Sequence, residues 1–220
     1  MALLDIVIPK AQAADGTLVL PEGNDPRVMA AAAGIAQQNI AKVIVLATPE
    51  EQKEAMAKAG VSFDGLDVEV IDYLTDARGE TFAAAFQKLR AHKGVDMDAA
   101  RAAMKKRLFF GNMLVREGQA DGLVAGSIAS TGDMLRAAFQ CIGTAPGIKI
   151  ASSAFLMDFD KPTTTGESTL CFADCAVNPN PTAEQLVDIA ISTAKTYRAL
   201  MDKQPRVAFL SFSSKGSAKH

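Results

Sequence analysis

The sequence predicts an α/β protein of two domains, built on mostly parallel sheets covered by helices. Three observations predict it. From Thr17 to Gln140, short apolar runs alternate with alanine-rich stretches of helical period, as a sheet buried on both faces requires when each crossover lays a helix on it. The chain has 220 residues, enough for one large or two small domains with a sizeable core. Near Pro146 and Gly147 the pattern changes to two apolar runs joined by a turn-rich loop. That change places a boundary between a first domain, 1–146, and a second, 147–220.

The elements follow in order. "TLVLPEG" at Thr17 to Gly23 is a strand, and a helix starts at "NDPRVMAAAAGIAQQ", where Asn24 or Asp25 can cap it and Pro26 suits its first turn. "KVIVLAT" from Lys42 is the second strand. The next helix opens at Thr48 with Glu51 three residues on and Pro49 between them, a capping-box pattern. "DVEVID" at Asp67 to Asp72 is the third strand, and helical period runs from about Thr75 to His92. A cation in the last turn and Gly94 just beyond are what a helix C-terminus favours. Two helices then lead to a fourth strand at Leu123 to Ala125.

In the second domain, "IKIASSAFLMDF" and "GESTLCFADCAV" are strands joined by "DKPTTTG", a connection suited to antiparallel neighbours. Thr182 and Gln185 form another capping box, and Val187, Ala190, Ile191 and Ala194 space a buried stripe along the helix that follows. "RVAFLSFSSKGSAKH" is a strand running into a serine-glycine loop that stops on Ala218, Lys219 and His220. With no covering helix after it, the second domain is expected to be incomplete, its chain cut in the middle of a fold.

Composition narrows the function. With 23 basic and 25 acidic residues the net charge is -2, which supplies no basic field for nucleic acid or an anionic membrane. No apolar run approaches a membrane span. The opening "MALLDIVIPKAQAADG" carries Asp5 inside its apolar patch and is read as neither signal peptide nor targeting helix, so a cytoplasmic location is expected. Cys141, Cys171 and Cys175 lack disulfide-framework or zinc spacing and are expected to be reduced thiols.

No dinucleotide glycine fingerprint, Walker loop, H-E-x-x-H, G-x-S-x-G or C-x-x-C is present. The chemistry concentrates in two loops that each follow an apolar run. In "GSIASTGDMLRAAFQ", Gly126, Ser127, Ser130 and Thr131 precede a helix start marked by Ser130 and Asp133. Free backbone N–H groups there suit an anion, and Arg136 would lean back toward the same loop. The plainer reading is an ordinary strand-to-helix crossover with a solvated arginine. "SFSSKGS", with Ser213, Ser214, Gly216 and Ser217, is either a second anion loop or a turn rich in small residues. Ligands in open parallel sheets bind beyond the carboxyl ends of strands.

The order "LRAHKG", "FFGNMLVREGQADGLVAGSIASTGDMLRAAFQ", "GIKIASSAFLM", "FADCAVNPNPTAEQLVDIAISTA" and "PRVAFLSFSSKGSAKH" resembles the phosphate acetyltransferase and phosphate butyryltransferase family, from near Gly16 to His220. The resemblance implies a two-domain homodimer with an isocitrate/isopropylmalate dehydrogenase-like fold and an active site in the interdomain cleft. It implies reversible conversion of acetyl-CoA and phosphate to acetyl phosphate and CoA, with no metal, nicotinamide or other cofactor. The family's two cleft arginines match Arg90 and Arg136; for Arg90 a solvated arginine at a helix C-terminus is the alternative. Substrate contacts are expected from Ser127, Ser130, Thr131, Ser213, Ser214, Gly216 and Ser217. The resemblance places the family's Ser-Arg pair and its proposed aspartate base in a further C-terminal segment that completes the first domain, which implies that the first domain is incomplete here and that no residue of this chain inherits those roles. The 220-residue chain alone is therefore expected to be weakly active or inactive. A butyryl substrate, or a non-catalytic module binding acyl-CoA or acyl phosphate, are the alternatives; a dehydrogenase is disfavoured for want of a dinucleotide fingerprint.

Overall fold

The computed structural model describes residues 3–211 and 213–217, which divide between two compact units. Ile8–Gly143 forms one of them. It holds a four-stranded sheet in the order β3-β2-β1-β4, from β1 (Thr17–Leu20), β2 (Lys42–Leu46), β3 (Val68–Ile71) and β4 (Gly122–Leu123), all pairs parallel. Alternate strand residues point to opposite faces, and the core divides accordingly. Val19, Ile44, Leu46 and Ile71 pack on one face with Phe82, Phe110, Met113 and Cys141; Leu20, Val43 and Val45 pack on the other with Met29, Ala32 and Ala55.

Helices α2 (Pro26–Gln37) and α3 (Pro49–Ala59) supply the second face, and α4 (Arg78–Arg90), α5 (Met97–Met104), α6 (Arg107–Arg116) and α7 (Thr131–Cys141) the first. Their ends form as the local sequence dictates. Asp25 caps α2, accepting from the Arg27 N–H, and Thr48 and Glu51 close a reciprocal capping box on α3. A short 3-10 turn, Ala91–Lys93, extends α4 and ends at Gly94 in the left-handed conformation. Gly23 marks a close approach: a Cβ there would lie 2.5 Å from Val45 Cγ1 and 2.7 Å from the Leu46 carbonyl oxygen. Only glycine lets the turn after β1 lie against β2.

An element unforeseen in the sequence stands first. Leu3–Ala14 forms α1 despite Pro9 inside it, and no periodic run had marked it. Its first residues group with the second unit, which comprises Met1–Val7 and Thr144–His220; there the Leu3 N–H donates to Asp158 Oδ2 at 2.9 Å. No helix among the described residues is long and apolar enough to cross a membrane.

The second unit pairs β5 (Ala154–Asp158) with β6 (Thr169–Ala173) as an antiparallel hairpin, Leu156 opposite Cys171. Helix α8 (Ala183–Met201) begins at the Thr182–Gln185 capping box. Two expectations are corrected here. Val187 and Ile191 are 52% and 43% exposed, Ala190 and Ala194 are half-buried, and the buried residues of α8 are Ile189 and Met201; the apolar period is real, but the stripe it marks is not the buried part of the helix. Arg206–Ser211 forms no strand, leaving Leu210 81% exposed. A strand needs a neighbour for its backbone N–H and C=O groups, and none pairs with this segment among the described residues. The expectation for Ala218, Lys219 and His220 lies outside the described residues.

Candidate functional site

The segment after β4 does bind an anion, and the anion is the protein's own. Glu22, just past β1, is 2% exposed. Its Oε2 accepts the N–H groups of Gly126 and Ser127 at 2.7 and 2.8 Å, and its Oε1 those of Ile128 and Ala129 at 2.8 and 2.6 Å. Burial pushes the Glu22 carboxyl up, but the four amides outweigh it and hold the group below its ordinary value. The amides of residues 126–129, which lead into the helix start where free donors were expected, are thus engaged by the protein itself.

Ser127 is tied from a second side. Its hydroxyl donates to Asp25 Oδ2, and Arg27 Nη2 donates to its carbonyl at 2.9 Å and to its Oγ at 3.1 Å. Arg27 grips the nearly buried Asp25 carboxylate through Nε and Nη2, the latter at 2.6 Å. The Arg27 side chain first, and the Ser127 hydroxyl next, hold Asp25 well below the usual carboxylate range.

Ser130 caps α7, accepting from the Asp133 N–H at 3.2 Å and donating to Asp133 Oδ2 at 2.8 Å. Thr131 opens the helix and is exposed. One and a half turns on, Arg136 bonds Asp133 Oδ1 at 2.9 Å, with 62% of its side chain exposed. It lines an open groove of about 730 Å³ together with Lys105, Lys106, Arg107 and Asp133, over an apolar floor that includes Phe86 and Phe109. Of the four cations along this groove Arg136 is paired with Asp133 and Arg107 with Glu51, and Lys105 and Lys106 add positive charge suited to an anion.

Sequence reasoning missed the lysines and Arg107, although "KKR" at 105–107 is legible as a charge run. Arg107 is braced: Nη2 donates to Glu51 Oε1 at 2.6 Å and to the Tyr73 hydroxyl at 3.2 Å, and its guanidinium lies 5.3 Å over the Tyr73 ring. Lys106 lies 5.9 Å over the ring of Phe109.

Arg90 ends α4 and is not among the residues lining that groove. The residue is half-buried, and its Nε is buried without a hydrogen-bond partner. Burial pushes the Cys141 thiol up to about 12, with the charges of Arg116 and Arg90 working the other way. A buried thiol of that kind is a poor nucleophile. In the second unit, Ser213 is half-buried and Ser214, Gly216 and Ser217 are exposed. The Ser214 carbonyl accepts the Ser217 N–H at 3.0 Å, and Gly216 has φ +75°. Serine and glycine there form a turn.

A fold in which two parallel-strand exits meet through a buried carboxylate does not by itself name a lineage. The family model described as phosphate acetyl/butaryl transferase matches residues 2–220. The chain belongs to that family. Among relatives, the phosphate acetyltransferase of Thermoanaerobacterium thermosaccharolyticum is 42% identical across the whole chain, and that of Clostridium acetobutylicum 38%. These alignments cover 66% and 65% of the two relatives. Solved structures agree: a phosphotransacetylase from Streptococcus pyogenes superimposes with a TM-score of 0.84 at 37% identity over 99% of this chain, and the EutD phosphotransacetylase from Staphylococcus aureus with 0.84 at 33% over 100%. The chain spans 64% of each of those proteins. As a member of the phosphate acetyl/butaryl transferase family, it has the mixed α/β architecture with a parallel sheet flanked by helices that its sequence predicted.

Proposed function

We propose that this chain provides the substrate-binding part of a phosphate acetyltransferase, which moves acetyl reversibly between CoA and inorganic phosphate. The observation that carries the reading is similarity over the full length of the chain to proteins named for that activity, at 38–42% identity in the relatives above. The groove beside Arg136 supports it independently, because both substrates are anions. In this reading CoA carries the acyl group, so neither metal nor nicotinamide is required. The protein acts as a cytoplasmic homodimer, independent of nucleic acid and membrane.

The chemistry is transfer within a ternary complex. The CoA thiolate attacks the carbonyl carbon of acetyl phosphate, the C–S bond forms, the C–O bond to phosphate breaks, and phosphate departs with the electron pair. Arg136 stabilises the charge that gathers on phosphate, the role in which a positioned donor affects rate most strongly. Arg90 binds anionic substrate, and Ser127, Ser130, Thr131, Ser213, Ser214, Gly216 and Ser217 shape the substrate's surroundings. The residue that takes the thiol proton is not assigned.

The test follows CoA release from acetyl-CoA in the presence of phosphate, for the 220-residue chain and the native-length protein, each with Arg136→Ala. Transfer by the native-length protein, reduced on the order of 100-fold by the substitution, is expected. A chain that binds acetyl-CoA or acetyl phosphate yet transfers nothing at either length would favour a binding module instead.

A further inference from the structure

We propose that Glu22 is a positioning residue for the anion site: an internal carboxylate that takes up the loop amides in place of a substrate anion and thereby holds the loop on which Arg136 depends. The inference rests on the acyl-transfer reading above. Four successive N–H groups, 126 to 129, converge on the two oxygens of one side chain that is almost fully buried. An unpartnered charge at such a depth is costly, so the amides and the carboxylate are conditional on one another. The loop then passes straight to Ser130, which caps α7, and α7 carries Arg136 into the groove that Ala129 also lines.

The arrangement differs from a merely well-packed core in two ways. First, its partners are backbone donors of consecutive residues, the geometry by which loops hold phosphate. Because Glu22 occupies it, substrate anion is directed away from these amides and onto side-chain cations. Second, the same loop is held on its outer side by Asp25 and Arg27 through Ser127. Both clamps come from the β1 exit, in "PEGNDPR", so one short segment sets the position of another more than a hundred residues on.

Glu22→Gln keeps size but turns two amide donors toward an –NH2 group, and Glu22→Asp keeps charge but shortens the reach. The experiment measures kcat and KM for acetyl-CoA and phosphate in native-length wild type, both Glu22 variants, Arg136→Ala, and the Glu22→Gln/Arg136→Ala double variant, with amide hydrogen exchange at residues 126–129. A positioning role predicts that Glu22→Gln lowers kcat/KM on the order of 100-fold and speeds exchange at those amides. It also predicts that Glu22→Asp falls between Gln and wild type, and that Glu22→Gln costs little more once Arg136 is gone. Fully additive losses in the double variant, or a Glu22→Gln protein with wild-type constants, overturn the role. If Glu22→Gln does not fold, Glu22→Asp in the Arg136→Ala background decides by the same additivity. A wild-type protein that neither binds CoA nor transfers acetyl overturns the acyl-transfer reading itself, a result distinct from active wild type beside unaffected variants.

Discussion

The carboxylates of Glu22 and Asp174 each organise a loop by collecting backbone amides, but they draw them from different distances. Glu22 accepts from residues 104 to 107 positions along the chain. Asp174 accepts the N–H groups of Ala176, Val177 and Asn178, two to four positions along, together with the Ser153 hydroxyl. Burial pushes the Asp174 carboxyl up, but the Ser153 hydroxyl and then the nearby amides outweigh it and hold it well below the usual range. The first carboxylate joins two strand exits of a sheet. The second folds a local turn, of the kind aspartate side chains favour.

The difference teaches where disruption should spread. Glu22→Ala leaves four amides without their buried acceptor, and an expected loss of about 4 kcal/mol in urea unfolding follows if each unmade bond costs about 1 kcal/mol. Asp174→Ala should cost less, about 2 kcal/mol, since water reaches a half-exposed turn; equal losses in the two variants would break the contrast.

Acid should sharpen it. Both carboxyls are depressed in the folded protein, so their stabilisation is fully present above the unfolded carboxylate range and is lost as pH falls through the lower folded values. Melting temperature followed from pH 6 to pH 3 should fall in wild type and fall less in Glu22→Gln, which has no such proton to take up. A parallel decline in both would remove Glu22 from the acid response.

The smallest effect is expected where apolar surface is already wet. Phe155 is 57% exposed on β5, whereas Phe110 is fully buried and stacks edge-on against Phe82 at 5.2 Å. Phe155→Ser should change stability by no more than about 0.5 kcal/mol, as surface substitutions do, while Phe110→Ala should cost about 3–5 kcal/mol. A large loss at Phe155 would mean that its face is covered in solution.

Much of the first unit was legible because its signals are short-range. Strands, the Thr48 cap and the helix start at Ser130 each depend on residues a few positions apart, as does the Thr182 cap in the second unit. The candidate site was half legible. A serine-glycine loop leading to Arg136 suggested an anion beside the plainer crossover reading, yet nothing local disclosed that Glu22 would engage the loop's amides, or that "KKR" would join Arg136 along one groove. Helix α1 escaped notice because a proline interrupts its pattern.

The sequence by itself determined the alternation of strand and helix, the caps and the family resemblance, and it raised the question of an anion at the loop before α7. Only the tertiary structure decided which anion the loop's amides accept, which face of α8 is buried, and that Arg206–Ser211 is left without a strand partner. The physical reason is one of range. Propensity, period and capping act within a turn or two, whereas pairing a backbone donor or covering an apolar stripe requires a partner that only the folded chain brings near.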